Sequence, residues 1–177
     1  MRKPDIPARA VEVRQEQEGD APAIRRVHEL AFGQTDEADI VERLRRSPSW
    51  LPELSLVAVA GGEVVGHVLL SRAALDSGTE VLALAPMGVV PEYQRRGIGS
   101  VLVDRALSRA AKTDFPLVVV VGHPGYYPRF GFEPADQYDI TPPFEVPREA
   151  WMVYRLPSFQ SERVRGRVLY PPAFGLT

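Results

Sequence analysis

Val89-Val90-Pro91-Glu92-Tyr93-Gln94-Arg95-Arg96-Gly97-Ile98-Gly99-Ser100 joins an apolar run to an amphipathic one. The residues before it, Val81 to Val90, read as a strand interrupted by Pro86. A proline has no N–H for a sheet ladder, so that strand should break or bulge there. After it, Ile98, Val101, Leu102, Ala106 and Ala110 recur at helical spacing, while Asp104, Arg105 and Arg109 fall elsewhere on the wheel. A helix starting near Gly97 is predicted. Helix starts leave unpaired N–H groups and carry a partial positive charge. Gly97 and Gly99 carry no Cβ, and Gln94, Arg95 and Arg96 add side-chain donors. The stretch is therefore a candidate anion cradle. Glycines at a strand–helix junction also serve close packing, and a bare Gly-x-Gly does not separate the two uses.

Two phosphate loops are excluded at once. A P-loop needs Gly-Lys-Ser/Thr, but Gly99 is followed by Ser100-Val101. A dinucleotide fold needs a third glycine and an acid at the end of the next strand. Here those places hold Leu102 and Val121-Gly122-His123.

The chain around this stretch has 177 residues, 45% hydrophobic and 25% charged, with a net charge of -2. That suits one globular domain over 1–177, with a core near 10–156 and a C-terminal extension over 157–177. No overall charge favours nucleic acid or an anionic membrane. Without cysteine, disulfide scaffolds, thiolate zinc sites and thiol nucleophiles are excluded. Met1 to Ala10 lacks the apolar core of a signal peptide, and no run reaches ~18 apolar residues, so a cytoplasmic protein is expected.

Ala10 to Arg14 alternates as a first strand. Asp20 reads as the cap of a helix over 21–32 that Gly33 stops, and Asp36 as the cap of a second, ended by Ser47-Pro48. Leu54 to Ala60 and Val64 to Ser71 form a hairpin across Gly61-Gly62. Leu117 to Val121 reads as a strand covered on both faces. Gln137 to Ile140 and Ala150 to Leu156 read as further strands, and Arg163 to Tyr170 as a terminal strand or an arm able to reach a neighbouring chain. The order is β-α-α-β-β-β-α-β-α-β-β, a mixed α/β (α+β) sheet.

With both nucleotide loops set aside, Val89 to Gly99 resembles the acetyl-CoA motif Gln/Arg-x-x-Gly-x-Gly/Ala of the GCN5-related N-acetyltransferase (GNAT) superfamily. Gly122-His123-Pro124-Gly125-Tyr126-Tyr127-Pro128-Arg129-Phe130-Gly131-Phe132 is similar to a second segment of those enzymes, in the form found in the YhbS-like subgroup. The tail, Gly166 to Phe174, also resembles that subgroup's ending. The resemblance implies the acyl-CoA N-acyltransferase fold, with strands 4 and 5 splayed around the pantetheine arm of acetyl-CoA.

It further implies pantetheine contacts from the backbone of Met87, Val89 and Val90, and a pyrophosphate held by N–H groups of Gln94, Arg95, Arg96, Gly97, Ile98, Gly99 and Ser100. Arg95 or Arg96 would meet the 3′-phosphate. Tyr127, four residues before Gly131, would be the general acid, with Tyr126 a core aromatic. The glutamate that some relatives carry in strand 4 is Ala83 here. The base is left among His123, Glu80 and a water chain. A backbone N–H near Gly88 or Val89 would meet the oxyanion. Leu82, Leu84 and His67 would bound the acyl group. The acceptor, a small-molecule or protein amine, would lie among residues 32–37, Trp50 and residues 141–148. Asp36 and Glu37 would either attract it or simply serve the helix start. Direct transfer without metal is implied, by a monomer or homodimer. A non-catalytic CoA-binding sensor or interaction module is the alternative.

Overall fold

The structure is a computed structural model and describes residues 10–176. The reading of Met1 to Ala10 falls outside the described residues but for Ala10. In chain order the elements are β1 (Val11–Gln15), α1 (Ala21–Phe32), α2 (Asp36–Arg45), β2 (Ser55–Ala60), β3 (Glu63–Leu75), β4 (Glu80–Val89) and α3 (Ile98–Ala110). They continue with β5 (Leu117–Val121), β6 (Glu133–Pro134), β7 (Ile140–Thr141), β8 (Trp151–Arg155) and β9 (Gly166–Leu169). The nine-stranded sheet runs β1-β2-β3-β4-β5-β8-β6, with β9 joined to β3 and β7. This is the mixed α/β acyl-CoA N-acyltransferase architecture, with a parallel β4–β5 pair.

Alternation along β2 sorts the core. Leu56 and Ala58 pack with Ile98, Leu102 and Ala106 of α3. Val57, between them, packs with Ile24 of α1 and Val41 and Leu44 of α2. Successive strand residues point to opposite faces, so the helices cover both. The β2–β3 turn is Gly61-Gly62, at φ 57° and 79°. A two-residue hairpin with both φ values positive matches the twist of its strands, and glycine takes it without strain.

β4 decides the site. Its Leu84 pairs with Leu70 and its Met87 with Val68, so Ala85 and Pro86 oppose the single Leu69. The strand bulges at the proline, as expected, and runs on; the Ala85–Pro86 peptide is cis. Toward β5 it pairs only through Leu82–Val118 and Ala83–Val119. From Leu84 onward that edge has no strand partner, and a wedge opens between β4 and β5.

Several expectations are corrected. Val101 is 44% exposed, and Val103 and Leu107 complete the buried face of α3 instead. Asp20 precedes α1, but its carboxylate turns back to the Arg14 guanidinium at 2.6 Å and the Gln17 N–H at 2.8 Å. The helix expected after β5 is one 3-10 turn, Tyr127–Phe130, hemmed in by Pro124, Pro128 and Gly131. Residues 135–138 form another 3-10 turn, ended by Asp139 at φ 55°, so the strand there shrinks to β7. The C-terminal arm folds onto its own chain. β9 pairs with Ala74 and Leu75, and the Ala173 carbonyl accepts from Arg43 Nε at 2.8 Å.

Candidate functional site

The wedge widens into a cleft of about 610 Å³ where the end of β4, the start of α3 and the end of α1 meet. That volume is typical of small-molecule sites. Ala31 and Phe32 form one wall, Met87, Gly88 and Val89 the floor, and residues 93–95 and 97–100 the far wall. Tyr126 and Arg129 close the side.

The far wall has the features that suit an anion. Gly97, at φ 80°, starts α3 with no side-chain cap and no acid in the first turn. The positive end of the helix is therefore left for a ligand. Arg95 also takes a left-handed conformation, at φ 62°. Left-handed residues in such a turn gather successive N–H groups on one side, a known anion-holding arrangement. A side chain at Gly99 would start 3.0 Å from the Tyr126 hydroxyl and 3.6 Å from Met87 Sδ, inside the cleft.

Of the ten residues expected to hold the ligand, Met87, Val89, Gln94, Arg95, Gly97, Ile98, Gly99 and Ser100 line the cleft. Val90 and Arg96 do not. The Val90 N–H bonds the Val65 carbonyl at 2.9 Å. The Arg96 guanidinium lies 5.6 Å from the Tyr93 ring centre. Arg95 and Arg129, not Arg96, are the lining cations. Gln94 spends its amide on the Val89 carbonyl at 2.8 Å, tying the loop to β4.

The tyrosines are placed differently from the expectation. Tyr126 lines the cleft. Tyr127 is 8% exposed and stacks edge-on to Tyr126 and Phe132 at 5.1 and 5.4 Å, over the bare Cα of Gly122. Burial, with the Tyr126 phenol nearby, pushes the Tyr127 hydroxyl up to about 12. It holds its proton at neutral pH.

The other candidates disperse. His123 Nδ1 accepts from the Gly125 N–H at 3.1 Å. Glu80 lies 3.6 Å from Arg72, at the other end of β4. Leu82, Ala83, Leu84 and His67 are buried in the core and wall no part of the cleft. Of the expected acceptor region only Phe32 reaches it. Trp50 lies under the Arg45 guanidinium at 5.3 Å, Glu37 accepts from the Gln34 amide at 3.0 Å, and Arg148 pairs with Asp136. Among the described residues no group of three His, Cys, Asp or Glu side chains is placed to hold a metal, and no helix is long and apolar enough to cross a membrane.

One cluster escaped the sequence entirely. His28 of α1 and His67 of β3 are both wholly buried and bonded to each other at 2.8 Å. The only signal was a histidine on each of two apolar faces.

The family model described as Acetyltransferase (GNAT) domain matches residues 12–135. The chain is 39% identical over 144 residues to the Escherichia coli protein named uncharacterized N-acetyltransferase YjhQ, covering 77% of this chain and 80% of that one. It is 31% identical over 157 residues to uncharacterized N-acetyltransferase YhbS of the same organism, covering 88% and 93%. The crystal structure of E. coli YhbS in complex with CoA superposes with a TM-score of 0.87 at 29% identity, over 97% of this chain and 95% of that one. A GNAT family acetyltransferase from Brucella melitensis in complex with acetyl-CoA gives 0.77 at 28% identity, over 93% and 97%. On the family match and these relatives together, the chain belongs to the GNAT family of N-acetyltransferases.

Proposed function

We propose that the protein transfers the acetyl group of acetyl-CoA to a primary amine by direct attack in a ternary complex. The observation that carries this is the junction of two features in one cleft. The uncapped, acid-free start of α3 suits a pyrophosphate, and it opens onto the unpaired edge of β4, which can bond an amide-bearing arm as a strand would. Gly99 fits the same ligand, since any side chain there would occupy the cleft. That relatives of similar structure were solved with CoA and acetyl-CoA supports the choice of ligand.

The chemistry follows from what must move. The amine nitrogen bonds to the thioester carbon, and an N–H of Gly88 or Val89 meets the developing oxyanion. The C–S bond then breaks and its electron pair leaves on sulfur, where a proton lowers the barrier. Tyr127 is the donor in this scheme, being protonated at neutral pH and edge-on to the Tyr126 ring of the cleft wall. Arg95, which lines the cleft, would meet a ligand phosphate. The protein would act as one domain, monomeric or dimeric, in the cytoplasm.

A second reading is favoured by one observation: Tyr127 does not line the cleft. A CoA-binding sensor without turnover would need no acid. Thiol release from acetyl-CoA over a panel of primary amines separates the two. Release that depends on the amine supports the enzyme; binding of acetyl-CoA with no amine-dependent release supports the sensor.

A further inference from the structure

A chain of buried polar groups runs inward from the cleft. His28 Nε2 lies 2.8 Å from His67 Nδ1, and His67 Nε2 lies 2.8 Å from Ser55 Oγ. Ser55 donates to Glu16 Oε2 at 2.5 Å, and Arg45 Nε donates to Glu16 Oε1 at 2.9 Å. His28, His67 and Ser55 are wholly buried, whereas the Glu16 and Arg45 side chains retain 10% and 24% exposure. The chain thus links the protein interior to solvent on the far side.

Its polarity follows from its outer end. A carboxylate only accepts, so the Ser55 hydroxyl spends its hydrogen on Glu16 and must accept from His67 Nε2–H. Burial holds both imidazoles below their ordinary range, His28 at about 4 and His67 well down, the latter also disfavoured by His28 and Arg45. Each neutral ring has one N–H. His67 Nδ1 is then an acceptor, His28 Nε2 its donor, and His28 Nδ1 a lone pair.

That lone pair has no partner among the described residues. Buried polar atoms rarely stay unpaired, and exceptions call for a functional account. A Cβ on Gly88 would stand 3.1 Å from it, 3.2 Å from Ala31 Cβ and 3.4 Å from the Phe32 ring, so Nδ1 lies directly behind three residues that line the cleft. Phe32, 42% exposed on the cleft wall, stacks on the same ring at 6.0 Å.

We propose that His28 Nδ1 takes the proton shed by the attacking amine, through one water admitted beside Gly88 when the exposed Phe32 ring swings aside, and that His67 and Ser55 relay a proton to Glu16. The proposal rests on the amine-acetylating reading of the cleft. The amine N–H bond breaks as nitrogen bonds to carbon, and its proton reaches Nδ1. His28 Nε2–H passes its proton to His67 Nδ1, His67 Nε2–H to Ser55 Oγ, and Ser55 O–H to the Glu16 carboxylate, which returns it to solvent. No imidazolium persists in the interior. After product leaves, a proton taken up by Glu16 runs back along the same bonds, and the His28 Nδ1 hydrogen is released to water in the open cleft, which restores both Nε2–H tautomers. A side chain at Gly88 would press on His28 Nδ1, Ala31 and Phe32 and bar the water beside it. The charged or titratable groups facing the chain are Glu16 after β1, Arg45 of α2 and each histidine toward the other.

With only three histidines in the chain, ring-nitrogen NMR resolves the tautomers directly. His28 and His67 are expected to be neutral with hydrogen on Nε2 between about pH 6 and 8. A hydrogen on His28 Nδ1, or a charged ring, overturns the proposal whether or not any amine is acetylated. Kinetics follow with the panel amine that releases most thiol. His28→Gln keeps a donor toward His67 and removes the basic ring nitrogen; Glu16→Gln removes the outer proton-accepting carboxylate alone. Turnover should fall about 100-fold in the first and about tenfold in the second, with acetyl-CoA affinity within about twofold. Both losses should shrink as pH rises and the amine deprotonates unaided. A purely structural role would leave the pH profile unchanged. A wild-type profile in either folded variant overturns the relay. Failure of every amine, with acetyl-CoA still bound, refutes the proposed function and leaves the tautomers to decide the chain.

Discussion

Gly99→Glu places a carboxylate where the account puts a pyrophosphate. The new Cβ starts 3.0 Å from the Tyr126 hydroxyl and 3.6 Å from Met87 Sδ, and the side chain extends into the cleft. Two like charges about 4 Å apart near a protein surface repel by about 4 kcal/mol. That corresponds to about a thousandfold in Kd. Wild-type protein at acetyl-CoA about 100 times its Kd is stabilised by about 2.7 kcal/mol. In a chain of this size each kcal/mol moves Tm by about 2–4 °C, so ligand should raise Tm by about 5–10 °C. The variant at the same concentration sits at about one tenth of its Kd, gains under about 0.1 kcal/mol and should show no shift. Unliganded, it should melt close to wild type, because Gly99 is partly exposed in the first turn of α3. Gly99→Ala should lose about tenfold in affinity, since the Tyr126 hydroxyl can swing aside. Differential scanning fluorimetry with and without acetyl-CoA reads all three. A full ligand-induced rise in Gly99→Glu would refute the placement of the anion cradle.

Tyr127→Phe should lower turnover about 100-fold with acetyl-CoA affinity within about twofold, measured by initial rates and titration calorimetry; an unchanged rate removes its role as acid, and Tyr126→Phe run beside it shows whether the cleft-lining phenol serves instead. Gly166 takes φ 130°, and a Cβ there would run into Asp76 Oδ1, so Gly166→Ala should destabilise by about 2 kcal/mol, a Tm fall of about 4–8 °C; an unchanged Tm would mean that β9 contributes nothing to the sheet. Asp20 is held below the ordinary carboxylate range, first by its hydrogen bond from Arg14. A depressed folded-state value stabilises above the unfolded value of about 3.9 and is lost as pH falls through the folded one. Urea midpoints of Asp20→Asn should therefore trail wild type by under about 1 kcal/mol at neutral pH and converge with it near pH 3; a constant gap would place the effect outside titration.

The fold was legible where local chemistry decides it. Ala21 to Phe32, with Pro22 in its first turn and Gly33 after its end, came out as expected because the boundary residues act on their own backbone. Pro86 announced the bulge for the same reason. Long-range pairing was not legible. β3 runs past Ser71 because Arg72 to Ala74 go on pairing with β4, and it reaches Leu75 where Ala74 and Leu75 meet β9, remote in sequence. Val101 and Val103 are equally apolar, and only packing against β2 and β3 chooses between them. Tyr126 and Tyr127 are adjacent, so spacing cannot say which faces the cleft; the turn at residues 127–130 decides. His28 and His67 stand 39 residues apart and meet only when α1 lies on the sheet.

The central claim is direct transfer from acetyl-CoA to an amine, and a single-turnover experiment tests it most directly. Protein in excess over acetyl-CoA is mixed with and without the best panel amine, and free CoA and N-acetylated amine are quantified by mass spectrometry. The account predicts no CoA release beyond background without amine, and equimolar CoA and acetylated amine with it. Stoichiometric CoA release before amine is added, or bound acetyl-CoA left intact by every amine, would contradict it.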